Sequence, residues 1–253
     1  MPNLRDLGGH PTRDGRRLRR GLLYRSTALD GLDGDDAITF ARLGVRSVYD
    51  LRTGPERRDA PDRLPDGTEY VVADVIGNAE LGSPAQLNGV LGDPVAARTL
   101  LGDGRGTAMW IQHYRDFVGL PSARAAYGRL FGDVASDAHR PALFHCSTGK
   151  DRTGWGSAAF MLLMGVPDDI VMDEFLLSNH LLEPVTARVF QAFEEKGGDA
   201  DLLRPVFGVQ PAYLAAGLDE MRRRFGSIEG YFTDGLAVDP ATQQTLREAF
   251  LEP

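Results

Sequence analysis

The chain of 253 residues contains one cysteine, Cys146, and an arginine, Arg152, stands six positions after it. Ser147, Thr148, Gly149, Lys150 and Asp151 lie between them, and Thr153 and Gly154 follow. A short apolar run, Pro141 to His145, leads into this segment. A longer one, Trp155 to Met164, leads out of it. A strand, a tight loop and a helix in that order wrap backbone N–H groups around one centre, at the positive end of a helix dipole. Gly149 permits backbone geometry that larger residues resist. A thiolate, the reactive form of cysteine, is favoured at helix starts and near cations. Arg152 can present a planar fork to two oxygens of an oxyanion, which a lysine cannot match. The chemistry these types allow is attack by sulfur on phosphorus, with the loop amides and Arg152 holding the oxygens where charge gathers. Ser147, Thr148, Gly149, Lys150 and Thr153 would line the anion, and the Thr153 hydroxyl would ease departure of the sulfur. His145 would brace the loop from behind.

Such a loop needs a scaffold that fixes both of its ends. Leu22 to Arg25, Val45 to Leu51, Glu69 to Val75 and Pro141 to His145 read as strands. Asp33 to Leu43 reads as a helix stopped by Gly44. Further helices are expected over Met109–Val118, Ala123–Ala135, Trp155–Met164, Pro167–Asn179, Glu183–Glu195, Pro211–Phe225, Ser227–Gly235 and Pro240–Leu251. Strands alternating with helices give an α/β fold: a central, mostly parallel sheet flanked by helices, with a largely helical C-terminal half. No repeat or linker divides the chain, so one domain over 1–253 is expected. Gly77 to Gly106, rich in Gly, Asp and Ala, reads as a flexible insertion bordering the site.

A formal net charge of -8 argues against nucleic acid or an acidic membrane as partner. No apolar run approaches the roughly 20 residues that span a bilayer. Met1 to Gly9 lacks the apolar core of a secretory signal, which makes the cytoplasm the default location. With one cysteine there is no internal disulfide, CxxC pair or resolving thiol. That weighs against arsenate-reductase chemistry, and the Lys-Asp-Arg-Thr ending weighs against a sulfurtransferase. Retention of both Cys146 and Arg152 weighs against a dead phosphate-binding module. Backbone amides and Arg152 supply the positive field, so no metal or cofactor is expected. Asp50, Arg52, Asp6 and Arg5 read as bracing residues, with Glu56 in support of the site. Arg222-Arg223-Arg224 reads as a solvated helix face.

The segment resembles the signature of protein tyrosine phosphatases, in the Gly-Lys-Asp-Arg-Thr-Gly form of their atypical bacterial tyrosine/serine phosphatase branch. Asn3-Leu4-Arg5-Asp6-Leu7-Gly8-Gly9, Leu23-Tyr24-Arg25-Ser26, Asp50-Leu51-Arg52 with Glu56, Tyr213-Leu214, Phe225-Gly226-Ser227 and Gly230-Tyr231 extend the resemblance along the chain. It implies hydrolysis of phosphotyrosine, and of phosphoserine and phosphothreonine in some members, through a phosphocysteine intermediate. It also implies a phosphatase-like fold and a helical lid between Phe175 and Phe193. A phosphoinositide substrate is the alternative it carries, with Lys150 implicated in that activity. The branch lacks the mobile tryptophan-proline-aspartate loop, and its candidate general acid maps onto Asp151. The adjacent Arg152 works against that role, so Asp74 and Asp116 stay open as alternatives.

Overall fold

The computed structural model describes residues 1–77 and 91–253. Strands β1 (Arg5–Asp6), β3 (Leu23–Ser26), β4 (Ser47–Asp50), β5 (Glu69–Val72) and β6 (Ala142–His145) form one sheet in the order β1-β3-β6-β4-β5. β3, β6, β4 and β5 run parallel, and only β1 is antiparallel. A second ladder pairs β2 (Arg17–Leu18) with β7 (Leu251–Glu252) and ties the two ends of the described chain together. The α/β reading with a mostly parallel sheet therefore holds.

Alternation along each strand separates two cores. Tyr49 and Phe144 face the larger one, built with α5 (Pro121–Asp133) and α6 (Arg152–Leu163). Val48 and Leu143 face the smaller one, with Phe40 of α1 (Gly34–Leu43). α6 is buried on nearly every side, as its apolar sequence requires. Register then sets the site. Ser26, His145, Asp50 and Val72 end their strands level with one another. The loops after them share the carboxyl edge of the sheet, where open α/β sheets bind ligands.

Several expectations shift. α2 (Gly54–Asp59) is a short helix missed in sequence, although Thr53 and Glu56 form a capping box with Pro55 in the first turn. Of the expected insertion over 77–106, residues 78–90 lie outside the described residues. Asp93 and Pro94 start a helix, α3 (Pro94–Leu101), because the Asp93 side chain accepts from the amides of Val95 and Ala96. α4 (Arg105–Gly119) follows directly and begins four residues before its expected start. Ala97 and Leu101 pack with Phe193, Leu203 and Val206 in a third cluster, so this stretch carries a core of its own. The two helices expected over 167–195 are one, α7 (Asp168–Glu194), continuous through Pro184. Thr186 donates its hydroxyl to the carbonyls of Leu182 and Glu183 there. α8 (Arg204–Phe207), α9 (Pro211–Phe225) and α10 (Pro240–Phe250) complete the helical half. Residues 227–235 form a helical turn and a π-turn rather than one regular helix.

Candidate active site

The loop from Cys146 to Arg152 joins β6 to α6. Its carbonyls are tied outward. Ala28 N–H donates to Ser147 O, Asn3 Nδ2 to Thr148 O and Gly149 O, and Arg25 Nη2 to Gly149 O at 2.6 Å. Among the described residues, none of the amides from Ser147 to Arg152 donates a hydrogen bond. Six successive amides without an acceptor form a nest that favours an anion, buried from Gly149 to Arg152 and open toward solvent at Ser147 and Thr148. Gly149 is required: its φ is +65°, and a Cβ there would come within 2.1 Å of Ser26 O.

The carbonyl-side clamp has its own support. Arg25 and Arg5 both pair with Glu174 of α7, at 2.9 and 2.5 Å. Burial pushes the Glu174 carboxyl up, but the two guanidinium groups outweigh it and hold it below its ordinary value. Asp6 braces the entry by accepting from the amides of Gly8 and Gly21. Asn3, Arg5 and Asp6 thus act as loop-bracing residues.

Arg152 lies against the opposite wall. Glu56 accepts from both of its terminal nitrogens, at 2.8 and 2.7 Å. The same carboxylate accepts from the Ser147 hydroxyl and from Thr53 N–H and Oγ1. Burial raises the Glu56 carboxyl, yet hydrogen bonds from Arg152, its charge and Ser147 hold it well below the usual carboxylate range. Arg152 Nε makes no hydrogen bond among the described residues, so the guanidinium keeps one N–H wholly free for a ligand, beside the long 3.4 Å contacts of Nη1 to Leu51 O and Nη2 to the Ser147 hydroxyl. Cys146 itself is buried at 1% exposure.

Behind the loop, His145 Nδ1 stands 3.1 Å from Cys146 O, and its Nε2 stands 3.0 Å from Asp62. Arg52 joins Asp62 to Asp50, as the strand-end brace expected of it. Asp50, Asp62 and His145 come close enough to share a cation. The Arg52 guanidinium already hydrogen-bonds Asp50 and pairs with Asp62 at 2.9 Å, so a cation of the protein's own occupies the cluster. Thr153 Oγ1 is buried and makes no hydrogen bond, so the expected donation to sulfur is absent from this arrangement.

Three candidate acids separate. Asp151 is buried, bonded to Lys150 Nζ at 2.7 Å and to the Tyr114 hydroxyl at 3.2 Å. Lys150 also lies 4.5 Å from the Trp110 ring centre and reaches Gly208 O, so it faces the helices and not the nest. Asp116 accepts from Gln112 on the outer side of α4 and two positions from Tyr114, which places it away from the loop. Asp74 follows β5 and is partly exposed. Leu51 O accepts both from Arg152 Nη1 and from Val75 N–H, which brings the residue beside Asp74 onto a carbonyl that Arg152 touches.

The chain belongs to the tyrosine phosphatase family, whose model matches residues 1–252. It is 29% identical to the triple specificity protein phosphatase PtpB of Mycobacterium tuberculosis, over 98% of this chain and 96% of that one. A tyrosine-protein phosphatase of Nostoc commune is 27% identical, over 82% of this chain and 67% of its own. The solved core catalytic domain of the PP-IP phosphatase SIW14 from S. cerevisiae aligns over 86% of this chain and 91% of its own, at 14% identity and a TM-score of 0.36. The protein is a phosphatase acting on phosphorylated substrates. Among the described residues, no helix is long and apolar enough to cross a membrane.

Proposed function

We propose that one domain spanning the chain hydrolyses phosphotyrosine in proteins, without a metal, through a phosphocysteine intermediate. The observation that carries this reading is the cradle of six free amides between Cys146 and the Arg152–Glu56 fork. The amides of Ser147, Thr148, Gly149 and Lys150 and the guanidinium of Arg152 take the equatorial phosphoryl oxygens. Cys146 Sγ, as thiolate, forms the S–P bond while the bond from phosphorus to the tyrosyl oxygen breaks. The leaving oxygen takes a proton from a carboxylic acid. Water then attacks the phosphocysteine, its proton returns to that carboxylate, and the S–P bond breaks to release phosphate.

Asp74 is the acid this arrangement supports. Both carboxylate oxygens of the buried Asp151 are taken up by Tyr114 and Lys150, whereas Asp74, whose Oδ1 accepts from the amides of Ile76 and Gly77, keeps its Oδ2 partly exposed, 3.8 Å from Arg57. Lys150 is engaged with Asp151, Trp110 and Gly208, so the geometry favours a protein substrate over a phosphoinositide.

The test is hydrolysis of p-nitrophenyl phosphate and a phosphotyrosine peptide in EDTA by wild type and Cys146→Ser. Turnover that persists in EDTA and vanishes in Cys146→Ser is expected. Activity retained by Cys146→Ser would overturn the mechanism.

A further inference from the structure

On the α1 side of the sheet, an open cleft of about 580 Å³ lies between α2 and β5, with Tyr70 and Leu64 in its wall. Arg57 and Arg58 overhang it. A Cβ built on Gly54 would lie 3.3 Å from Arg58 Nη1 and 3.7 Å from Arg57 Nη2, so the two guanidinium groups converge on one point above the cleft. Arg57 has some compensation: it donates to Arg52 O and stands 3.8 Å from Asp74. Arg58 makes no hydrogen bond or ion pair among the described residues. The carboxylate in the cleft, Asp62, is turned inward and committed to Arg52 and His145. Two like charges brought together beside an open cavity repel each other unless an anion bridges them. A forked guanidinium pair fits a carboxylate or phosphate oxygen pair.

The position relative to the nest decides what the anion belongs to. Glu56, which grips Arg152, immediately precedes Arg57 and Arg58 on α2. Successive helix positions turn by about 100°, so Arg57 and Arg58 leave α2 on other sides than Glu56. Arg57 reaches back to Arg52 O and Asp74, whereas Arg58 makes no such contact and lies off the nest by the width of a helix with its side chains, on the order of 10 Å. Neighbouring phosphates on one sugar-like ring lie closer than that. Three residues of extended peptide, at about 3.3 Å each, span it.

We propose that Arg57 and Arg58 form a specificity subsite for an acidic side chain about three residues from the phosphotyrosine of a peptide substrate. The inference rests on the phosphatase reading given above and deepens it. Removal of Arg57 would also disturb Asp74, which makes Arg58 the informative position.

The experiment compares kcat/KM for two phosphotyrosine peptides that differ only in having Glu or Ala at the positions three residues on either side. Wild type, Arg58→Ala and Arg58→Glu are measured at low and high salt, with thermal melts to confirm folding. Wild type should prefer the acidic peptide about fivefold to tenfold through KM, and the preference should shrink with salt. Arg58→Ala should bring the ratio near one, and Arg58→Glu should invert it. A ratio of one in wild type, or a ratio unchanged in Arg58→Ala, would overturn the subsite while leaving hydrolysis in place. A flat peptide ratio beside an Arg58-dependent preference for a soluble phosphatidylinositol bisphosphate over its monophosphate would overturn the peptide assignment. Failure of wild type to hydrolyse either peptide, with p-nitrophenyl phosphate still turned over, would sink the phosphotyrosine reading, and the subsite with it.

Discussion

Glu56 grips Arg152 through both carboxylate oxygens, at 2.7 and 2.8 Å, from a helix of only six residues. The pairing fixes the plane of the guanidinium before any ligand arrives, so the cost of orienting it is met on folding. Glu56→Gln retains an acceptor but loses the charge and one of the two accepting oxygens. We expect kcat/KM for p-nitrophenyl phosphate to fall on the order of 10²-fold, with the larger part in kcat. Glu56→Ala leaves a buried guanidinium unpaired and should destabilise the fold by about 3–5 kcal/mol. Steady-state kinetics and urea melts check the two. An unchanged kcat in Glu56→Gln would mean that Arg152 needs no such orientation.

The loop's shape depends on groups far away in sequence. Asn3 holds two successive loop carbonyls, and Gly149 has a backbone that no side chain fits. Asn3→Ala should cost about 0.5–1.5 kcal/mol, since it removes the donor to Thr148 O while Gly149 O keeps its bond from Arg25. It should raise KM for phosphate esters and weaken inhibition by inorganic phosphate. Gly149→Ala should abolish turnover, because the new methyl collides with Ser26 O. A Gly149→Ala variant with wild-type kcat would show that the loop relaxes far more easily than its contacts suggest.

Cys146, Arg152 and the intervening loop were legible because strand, nest and helix leave their marks within about 20 consecutive residues. The braces on the loop were only half legible. Arg52 and Asp6 stood out as strand-end and turn residues, but Glu174 pairs with Arg5 and Arg25 across more than 140 positions. No local pattern encodes such a pair. α2 and α3 were missed for another reason: their starts are written in caps, Thr53 with Glu56 and Asp93 with Pro94, while α2 has almost no apolar content and α3 runs only eight residues inside a Gly- and Asp-rich stretch. Lys150 could be read only as one of the loop's cations. Its turn toward Asp151 and Trp110 depends on where α4 lies, which is a tertiary fact.

Asp74 and Asp151 make opposite forecasts for the leaving group. An acid contributes about 10²- to 10⁴-fold, and the contribution shrinks when the leaving group is already acidic. Asp74→Asn should therefore lower kcat strongly on phenyl phosphate or a phosphotyrosine peptide and weakly on p-nitrophenyl phosphate. It should also remove the basic limb of the kcat profile. Asp151→Asn frees Lys150 and Tyr114 but spares proton transfer, so its loss should be alike for both leaving groups. The reverse pattern would move the acid to Asp151.

Asp50 sets a limit on the acid side of stability. Burial raises its carboxyl, but hydrogen bonds from Arg52, the charge on His145 and the Tyr70 hydroxyl bring it down to about 2, against an ordinary 3.8. Glu56 is held low in the same direction by Arg152. A carboxyl whose folded value lies below its unfolded value binds protons more readily when unfolded, so its stabilising effect is complete above the unfolded value. That contribution drains away as the pH falls from about 4 toward 2. Urea melts at a series of pH values should show a steep loss of stability over this window in wild type. Asp50→Asn should be less stable at pH 7, because the buried Arg52 guanidinium then lacks part of its counter-charge. The same variant should show a shallower acid slope, since one depressed carboxyl has been removed. An acid slope identical to wild type would mean that the Arg52 network does not hold Asp50 ionised in the folded state.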